Sequence, residues 1–271
     1  AHIDFAYDGL VIKVNEKHIQ EQLGFVGKGP RFMIAFKFEA EEATTVVEQV
    51  KFQVGRTGKV TPVAIMKPVH VYGVTVTHAT LHNQEEIERL DLKIGDTVVV
   101  RRAGDVIPEI IQTLPGMRTG KEQEVQMPTH CPVCEAQLVQ KDGQVNLICP
   151  NSQCPARTMR HLTYFVSNKA FDIEGLSEKV LEKLENAGLI QNEVDILNLS
   201  KDEVITLPGF GEKSADNLIT NIQKAKTIEF SRFIQALGIQ YVGEQTAKAL
   251  AIRFESLEDL MQASKEAFEA I

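Results

Sequence analysis

The chain has 271 residues, 43% of them hydrophobic, with 29 Lys and Arg against 37 Asp and Glu and a net charge of −8. That is apolar material enough for one large core or for two to three small domains. No run approaches 18 consecutive apolar residues and no export signal is visible, which excludes a membrane-spanning helix and predicts a reducing, cytoplasmic setting. The charge is uneven. Residues 171–271 hold 10 Lys and Arg against 18 Asp and Glu, whereas residues 1–170 hold 19 of each. Global acidity therefore belongs to the last third, and says nothing about which face binds a partner.

Residues 1–43 contain two strand-like runs, AYDGLVIKVN and RFMIAFKFEA, separated by a short helix over His18–Leu23 that ends at Gly24. Alternation puts Leu10, Ile12 and Val14 on one face of the first strand and Val11 and Lys13 on the other. In the second, Lys37 faces away from Phe36 and Phe38. A lysine on a mostly apolar strand is either solvated at an edge or meets an anion.

Residues 44–115 alternate as a small β domain does. Val50, Phe52 and Val54 oppose Lys51 and Gln53, a Gly-flanked turn follows at GRTGK, and two last strands flank Gly104-Asp105. Five strands with one helix (ATLHNQEEIERL) inserted before the fourth predict an OB-type barrel, which binds nucleic acid or sugar across one face. Arg101 and Arg102 are adjacent on a strand, so at most one of them faces such a ligand. Residues 116–130 are polar and rich in turn formers, as in a linker.

Cys131, Cys134, Cys149 and Cys154 are the only cysteines. Two close pairs lie across a spacer whose Lys141-Asp142-Gly143 turn separates LVQ from VNLI, so both pairs fall at one β ribbon. That spacing suits a structural zinc held by four thiolates, with no open position for substrate. Two disulfides or four buried thiols are the alternatives, and both sit poorly with a long chain that lacks an export signal.

Residues 161–271 read as helical and repetitive. GLSEKVL (175–181), GFGEKSA (209–215) and YVGEQTA (241–247) align at offsets of 34 and 32. Each opens a helix after a short turn, the pattern of helix-hairpin-helix units, whose glycines permit positive φ and whose next helix presents amides to a phosphate. The middle copy, with Gly209 and Gly211, is intact. The first carries Ser177 at its second glycine, and the third carries Tyr241 at its first while keeping Gly243. Ser256 to Ile271 is predicted as the leading helix of a further copy. A plain helical bundle with Gly caps is the bland alternative.

YDGLVIKVN followed by AFKF, with QEQLGFVGKGPRFMIAFKF between and across them, resembles the fourth and fifth nucleotidyltransferase motifs of bacterial NAD-dependent DNA ligases. The later modules follow in that family's order. The resemblance implies a multidomain chain: the end of an α+β adenylation domain (1–43), an OB fold (44–115), a linker and four-cysteine zinc finger (116–160), and an all-α helix-hairpin-helix domain (161–271). It implies that Asp8 helps hold catalytic Mg²⁺ or Mn²⁺. Lys13 and Lys37 contact the adenylate, Lys37 near its phosphate, with Arg31 supporting the pocket. Arg56, Thr57, Arg102, Val106 and Ile107 meet DNA, the last two in the minor groove beside a nick. With them go Gly209, Gly211 and Gly243 of the hairpins.

The implied protein is a monomeric enzyme of the bacterial cytoplasm and nucleoid that seals nicked double-stranded DNA, in replication and repair, with NAD as adenylate donor. The family's nucleophile lies in a Lys-x-Asp-Gly motif, which these 271 residues do not contain. The chain therefore reads as part of a longer protein, and by itself is expected not to adenylate itself. Two other readings are a non-catalytic DNA clamp and a zinc-ribbon protein-interaction scaffold; the second leaves Arg56 and Arg102 without a role.

Overall fold

A computed structural model describes residues 9–26, 29–37, 41–71, 73–102, 108–140, 143 and 145–269. It divides into two compact units, Ala1–Gln53 with Thr61–Pro128 and Gly143–Asn146, and Val54–Val60 with Thr129–Asp142 and Leu147–Ile271.

The first unit opens with β1 (Gly9–Lys13), α1 (Lys17–Leu23), the two-residue strands β2 (Phe25–Val26) and β3 (Gly29–Pro30), and β4 (Met33–Lys37). β1 and β4 pair antiparallel, Gly9 opposite Lys37 and Lys13 opposite Met33. Residues directly opposite in such a ladder share a face. One face thus carries Leu10, Ile12, Ile34 and Phe36, each more than half exposed. The other carries Val11, Ala35 and both lysines.

The barrel follows: β5 (Glu41–Val54), β6 (Val60–Val71), β7 (Val74–Thr80), α2 (Gln84–Arg89), the short β8 (Lys93–Ile94), β9 (Thr97–Arg102) and β10 (Glu109–Thr113). Its strands close in the order β10-β7-β6-β5-β9, with α2 before the fourth barrel strand, as the alternation predicted. β5 and β6 run to 14 and 12 residues, longer than expected. A register shift between Ile65 and Val69 explains how β6 bends, and the alternation of buried positions changes phase across the exposed Lys67-Pro68. Val47, Met66, Leu81, Leu92, Val98 and Val100 are almost wholly buried inside. The buried hydroxyls are satisfied locally, Thr45 Oγ1 donating to Lys67 O at 2.7 Å and Thr113 Oγ1 to Leu90 O at 2.8 Å.

Residues 116–127 lie docked on this barrel. After a 3-10 turn at Pro115–Met117, β11 (Gln123–Glu124) pairs antiparallel with β8, and Val125 and Met127 pack against the core. Arg118 grips Asp96 (Nε–Oδ1 2.7 Å, Nη2–Oδ2 2.9 Å) and Asp91 (Nη1–Oδ2 2.7 Å). The segment is polar because ion pairs hold it down, and that is what gives it the composition of a linker.

In the second unit β12 (Val139–Gln140) and β13 (Leu147–Ile148) form the expected ribbon of the cysteine module. Then come α3 (Pro155–Val166), α4 (Glu178–Asn186), α5 (Glu193–Asn198), α6 (Lys201–Val204), α7 (Glu212–Ala225), α8 (Phe230–Ala236) and α9 (Glu244–Arg253). Met159, Leu162, Phe165 and Val166 share the apolar stripe of α3 and join Leu181, Leu184, Ile196, Val204, Leu218 and Ile222 in one core. Ile234, Ala247, Leu250 and Phe254 form a smaller one beneath the third hairpin. The single helix predicted from Ser256 is two: α10 (Leu257–Gln262) and α11 (Lys265–Glu269). Ser256 caps the first by accepting from Asp259 N, and Ser264 opens the second by accepting from Ala267 N, so a serine between two helical stretches restarts the helix.

Candidate nucleic-acid interface and metal centre

The four cysteine Sγ atoms lie within 4.8 Å of one another, and Cys131, Cys149 and Cys154 are buried. A tetrahedral zinc with ~2.3 Å bonds to sulfur sets its ligands about 3.8 Å apart; the Cys131–Cys154 and Cys134–Cys149 sulfurs stand at 3.9 and 3.5 Å. The donor set fits the metal. Backbone turns aim the thiols: Cys131 N donates to Ala136 O at 2.8 Å, Glu135 takes a positive φ of 59°, and Cys154 is the N-cap of α3 with Pro155 behind it. Burial pushes the Cys149 thiol up to about 12 and raises that of Cys154. The Cys134 thiol goes the other way, to about 6, chiefly because the Ala136 amide donates to it. All four ligands go to structure, leaving no open position for chemistry.

The three hairpin turns share one conformation. Gly175 and Gly209 have φ of 96° and 92°, and Tyr241, standing where they stand, has φ of 68°. Ser177, Gly211 and Gly243 are the N-caps of α4, α7 and α9. The third copy therefore keeps the turn even though it lacks the residue that makes the turn cheap. Tyr241 is 82% exposed. Around the middle copy, Lys183 Nζ donates to Pro208 O at 2.8 Å, and Lys201 holds Glu212 and Asp216 at 2.6 and 2.9 Å. Those carboxylates raise the Lys201 pKa, and the lysine in turn balances the acidic residue at the start of α7.

Lys13, Lys37 and Arg31 are exposed. The shared face places the two lysines four residues apart along the ribbon, roughly 13 Å at ~3.3 Å per residue. Arg101 is engaged by Glu109 opposite it (Nη2–Oε1 2.5 Å), and Arg102 lies opposite Glu41 across the β5–β9 pair. Asp8, Val106 and Ile107 fall outside the described residues. Arg56 and Thr57 occupy the β5–β6 turn and line a polar cleft of about 420 Å³ with Arg157, His161, Glu193 and Gly238. Residue spacing could not have found that cleft, because its lining comes from four separate stretches of chain. Among the described residues no helix is long and apolar enough to cross a membrane.

Five family models tile the chain: NAD-dependent DNA ligase adenylation domain (1–41), OB-fold domain (44–122) and C4 zinc finger domain (130–156), then a SAM-like helix-hairpin-helix tandem (169–224) and a helix-hairpin-helix motif (232–271). Relatives named DNA ligase match along its length. One from Bacillus subtilis strain 168 is 47% identical over 271 residues, all of this chain and 41% of the relative. One from Marinobacter nauticus is 46% identical over 270 residues, 99% of this chain and 40% of the relative. One from Thermomicrobium roseum is 47% identical over 262 residues, 97% and 38%. The chain thus spans about two fifths of the length of the curated relatives it matches.

Proposed function

The chain belongs to the NAD-dependent DNA ligase family, and we propose on that premise that it serves nick sealing: joining a 3′-hydroxyl to a 5′-phosphate in duplex DNA, with NAD supplying the adenylyl group. One observation carries the reading. Three NAD-dependent DNA ligase domains follow one another over residues 1–156, helix-hairpin-helix models cover 169–224 and 232–271, and proteins named DNA ligase match along the chain at 46–47% identity. An isolated OB fold or zinc knuckle would leave the partner open, and the series supports DNA as that partner.

In this reading the residues divide the work. Lys13 and Lys37, projecting from one face of the β1–β4 ribbon, contact a bound adenylate, Lys37 near its phosphate, with Arg31 supporting the pocket. Phosphoryl transfer depends more on positioning and charge neutralisation than on covalent chemistry, and two lysines on a common face provide that. Asp8 would hold Mg²⁺ or Mn²⁺, which when bound supplies further charge neutralisation at the transferring phosphate. The hairpin turns offer helix N-terminal amides to the DNA backbone, so an acidic domain binds a polyanion without a basic patch. Thr57, Arg102, Val106 and Ile107 form the OB contribution, and a zinc on Cys131, Cys134, Cys149 and Cys154 would hold the cysteine module in shape. The adenylyl group leaves NAD with release of nicotinamide mononucleotide and is carried to the 5′-phosphate, from which the 3′-hydroxyl displaces AMP to leave a continuous strand; the protein acts as a monomer on nicked duplex.

Two measurements test this. Binding of the chain to nicked and intact duplexes is followed over a salt series, with Arg102→Ala alongside. A preference for the nick, and an affinity that falls with a log–log slope of about −0.9 per phosphate contacted, supports the reading. Weak binding that is equal for both duplexes and insensitive to Arg102→Ala defeats it for this chain. The chain is also incubated with NAD and Mg²⁺ and examined by mass spectrometry. With no Lys-x-Asp-Gly in the sequence, no AMP–lysine adduct is expected, and finding one would overturn the assignment of roles.

A further inference from the structure

Arg56 is oriented inward within its own unit. Its Nη1 donates to Gly238 O at 2.7 Å, and its guanidinium carbon lies 4.4 Å from the centroid of the Tyr164 ring. Tyr164 Oη donates to Gln235 O at 3.1 Å. Both side chains therefore reach the C-terminal end of α8, where Gln235 O also accepts from Gly238 N at 3.1 Å and a cation is favoured by the helix dipole. The backbone there favours glycine, and the side chains packed on it would have to shift to admit another residue. Gly238 has φ of 63°, and a Cβ there would stand 2.9 Å from Arg56 Nη1 and 3.0 Å from His161 Cε1.

The same turn is seated at its other end. Gly58 O accepts from Cys149 N at 2.8 Å, and a Cβ on Gly58 would stand 2.5 Å from Cys149 O. Val54–Val60 is thus fixed at both ends, against the cysteine module and against the turn that leads into the third hairpin. From Gly238 only Ile239 and Gln240 intervene before Tyr241, whose strained backbone makes the hairpin turn.

We propose that Arg56 is a positioning residue: it holds the Gly238–Gly243 turn of the third hairpin in its DNA-binding shape, bound to the carbonyl of Gly238 and stacked on Tyr164. This rests on the reading that the hairpins bind DNA, but its first consequence concerns the free protein. A guanidinium that lies over a ring and is bonded to a carbonyl is preorganised, so it stiffens a turn whose conformation is otherwise costly.

The test uses the 271-residue chain and variants Arg56→Ala, Tyr164→Leu and Tyr164→Phe, each checked for zinc content. Hydrogen exchange of amides 237–243 is measured without DNA, and binding to nicked duplex is measured separately. Arg56→Ala and Tyr164→Leu are each expected to speed exchange in that segment by about tenfold, the weight of one charge-assisted hydrogen bond or ring contact. Each weakens binding by a similar factor, and the double variant adds no more than about twofold, because both act on one turn. Tyr164→Phe keeps the ring and gives a smaller rise, which preserves the test if Tyr164→Leu fails to fold. If exchange at 237–243 stays within about twofold in Arg56→Ala while binding collapses, Arg56 acts on DNA directly and the proposal is wrong. Faster exchange in a chain that binds no DNA keeps the positioning role and removes the DNA-binding reading.

Discussion

Arg118 closes a two-point salt bridge on Asp96, whose side chain has no exposure to solvent. Asp96 Oδ2 also accepts from Lys93 N at 2.8 Å, so this carboxylate joins the α2–β8 turn, the start of β9 and the strand-like segment that leaves the barrel. Arg118→Ala leaves the buried Asp96 carboxylate short of its main partner and is expected to lower the unfolding free energy. The double variant with Asp96→Ala should recover part of that loss. Denaturant titration of the three proteins decides it; unchanged stability in Arg118→Ala would mean that this ion pair does not help hold residues 116–127 to the barrel.

The cysteine module depends on its metal. Strands of two residues such as β12 and β13 cannot hold a ribbon alone. Metal affinity here is folding free energy, and Cys149→Ser should weaken zinc binding by on the order of a hundredfold or more in competition with a chromophoric chelator. Chelation of the wild type should release the amide of Cys149 to exchange, since the bond to Gly58 O ties the neighbouring turn to the knuckle. Unchanged exchange after zinc removal would show that the module folds without it.

Tyr241 keeps a glycine's backbone conformation with a side chain that is almost wholly exposed. Tyr241→Gly therefore relieves strain and forfeits little burial, and is expected to stabilise the chain by up to about 1 kcal/mol. Tyr241→Val places a β-branched residue at positive φ and should cost about 1–2 kcal/mol. Thermal unfolding of the pair gives the order directly, and a destabilised Tyr241→Gly would mean that the ring makes contacts worth more than the strain.

Glu193 and His161 meet at 2.7 Å, Oε1 to Nε2. The hydrogen bond from the His161 ring holds the Glu193 carboxyl below its ordinary value of 4.5, against burial, which pushes it up. A depressed carboxylate contributes stability that is fully present above its unfolded pKa and is lost as pH falls through the folded one. The contribution should therefore fade from about pH 4.5 downward, and Glu193→Gln should flatten that part of the acid limb. The side chains retain 29% and 31% exposure, so the effect should stay under about 1 kcal/mol. Stability measured by denaturant between about pH 3 and 6 tests it, and identical acid limbs would exclude a role for the pair.

Much of this was legible in residue order alone, because the information is local. The cysteine spacing marks a metal module, since ligands on two tight turns need only a short ribbon between them. Alternation in β5 separates Val50, Phe52 and Val54 from Lys51 and Gln53, and the repeat at 175, 209 and 241 announces three turns of one kind. Tertiary structure decided what depends on distant parts of the chain. It closed five strands into a barrel, placed Lys13 and Lys37 on one face through the β1–β4 register, and docked a polar segment that composition alone presents as a linker. It also turned Arg56 toward Gly238, 182 residues away. Sequence periodicity assigns a side chain to a face of its own element; which carbonyl or ring that face meets is set by packing between elements.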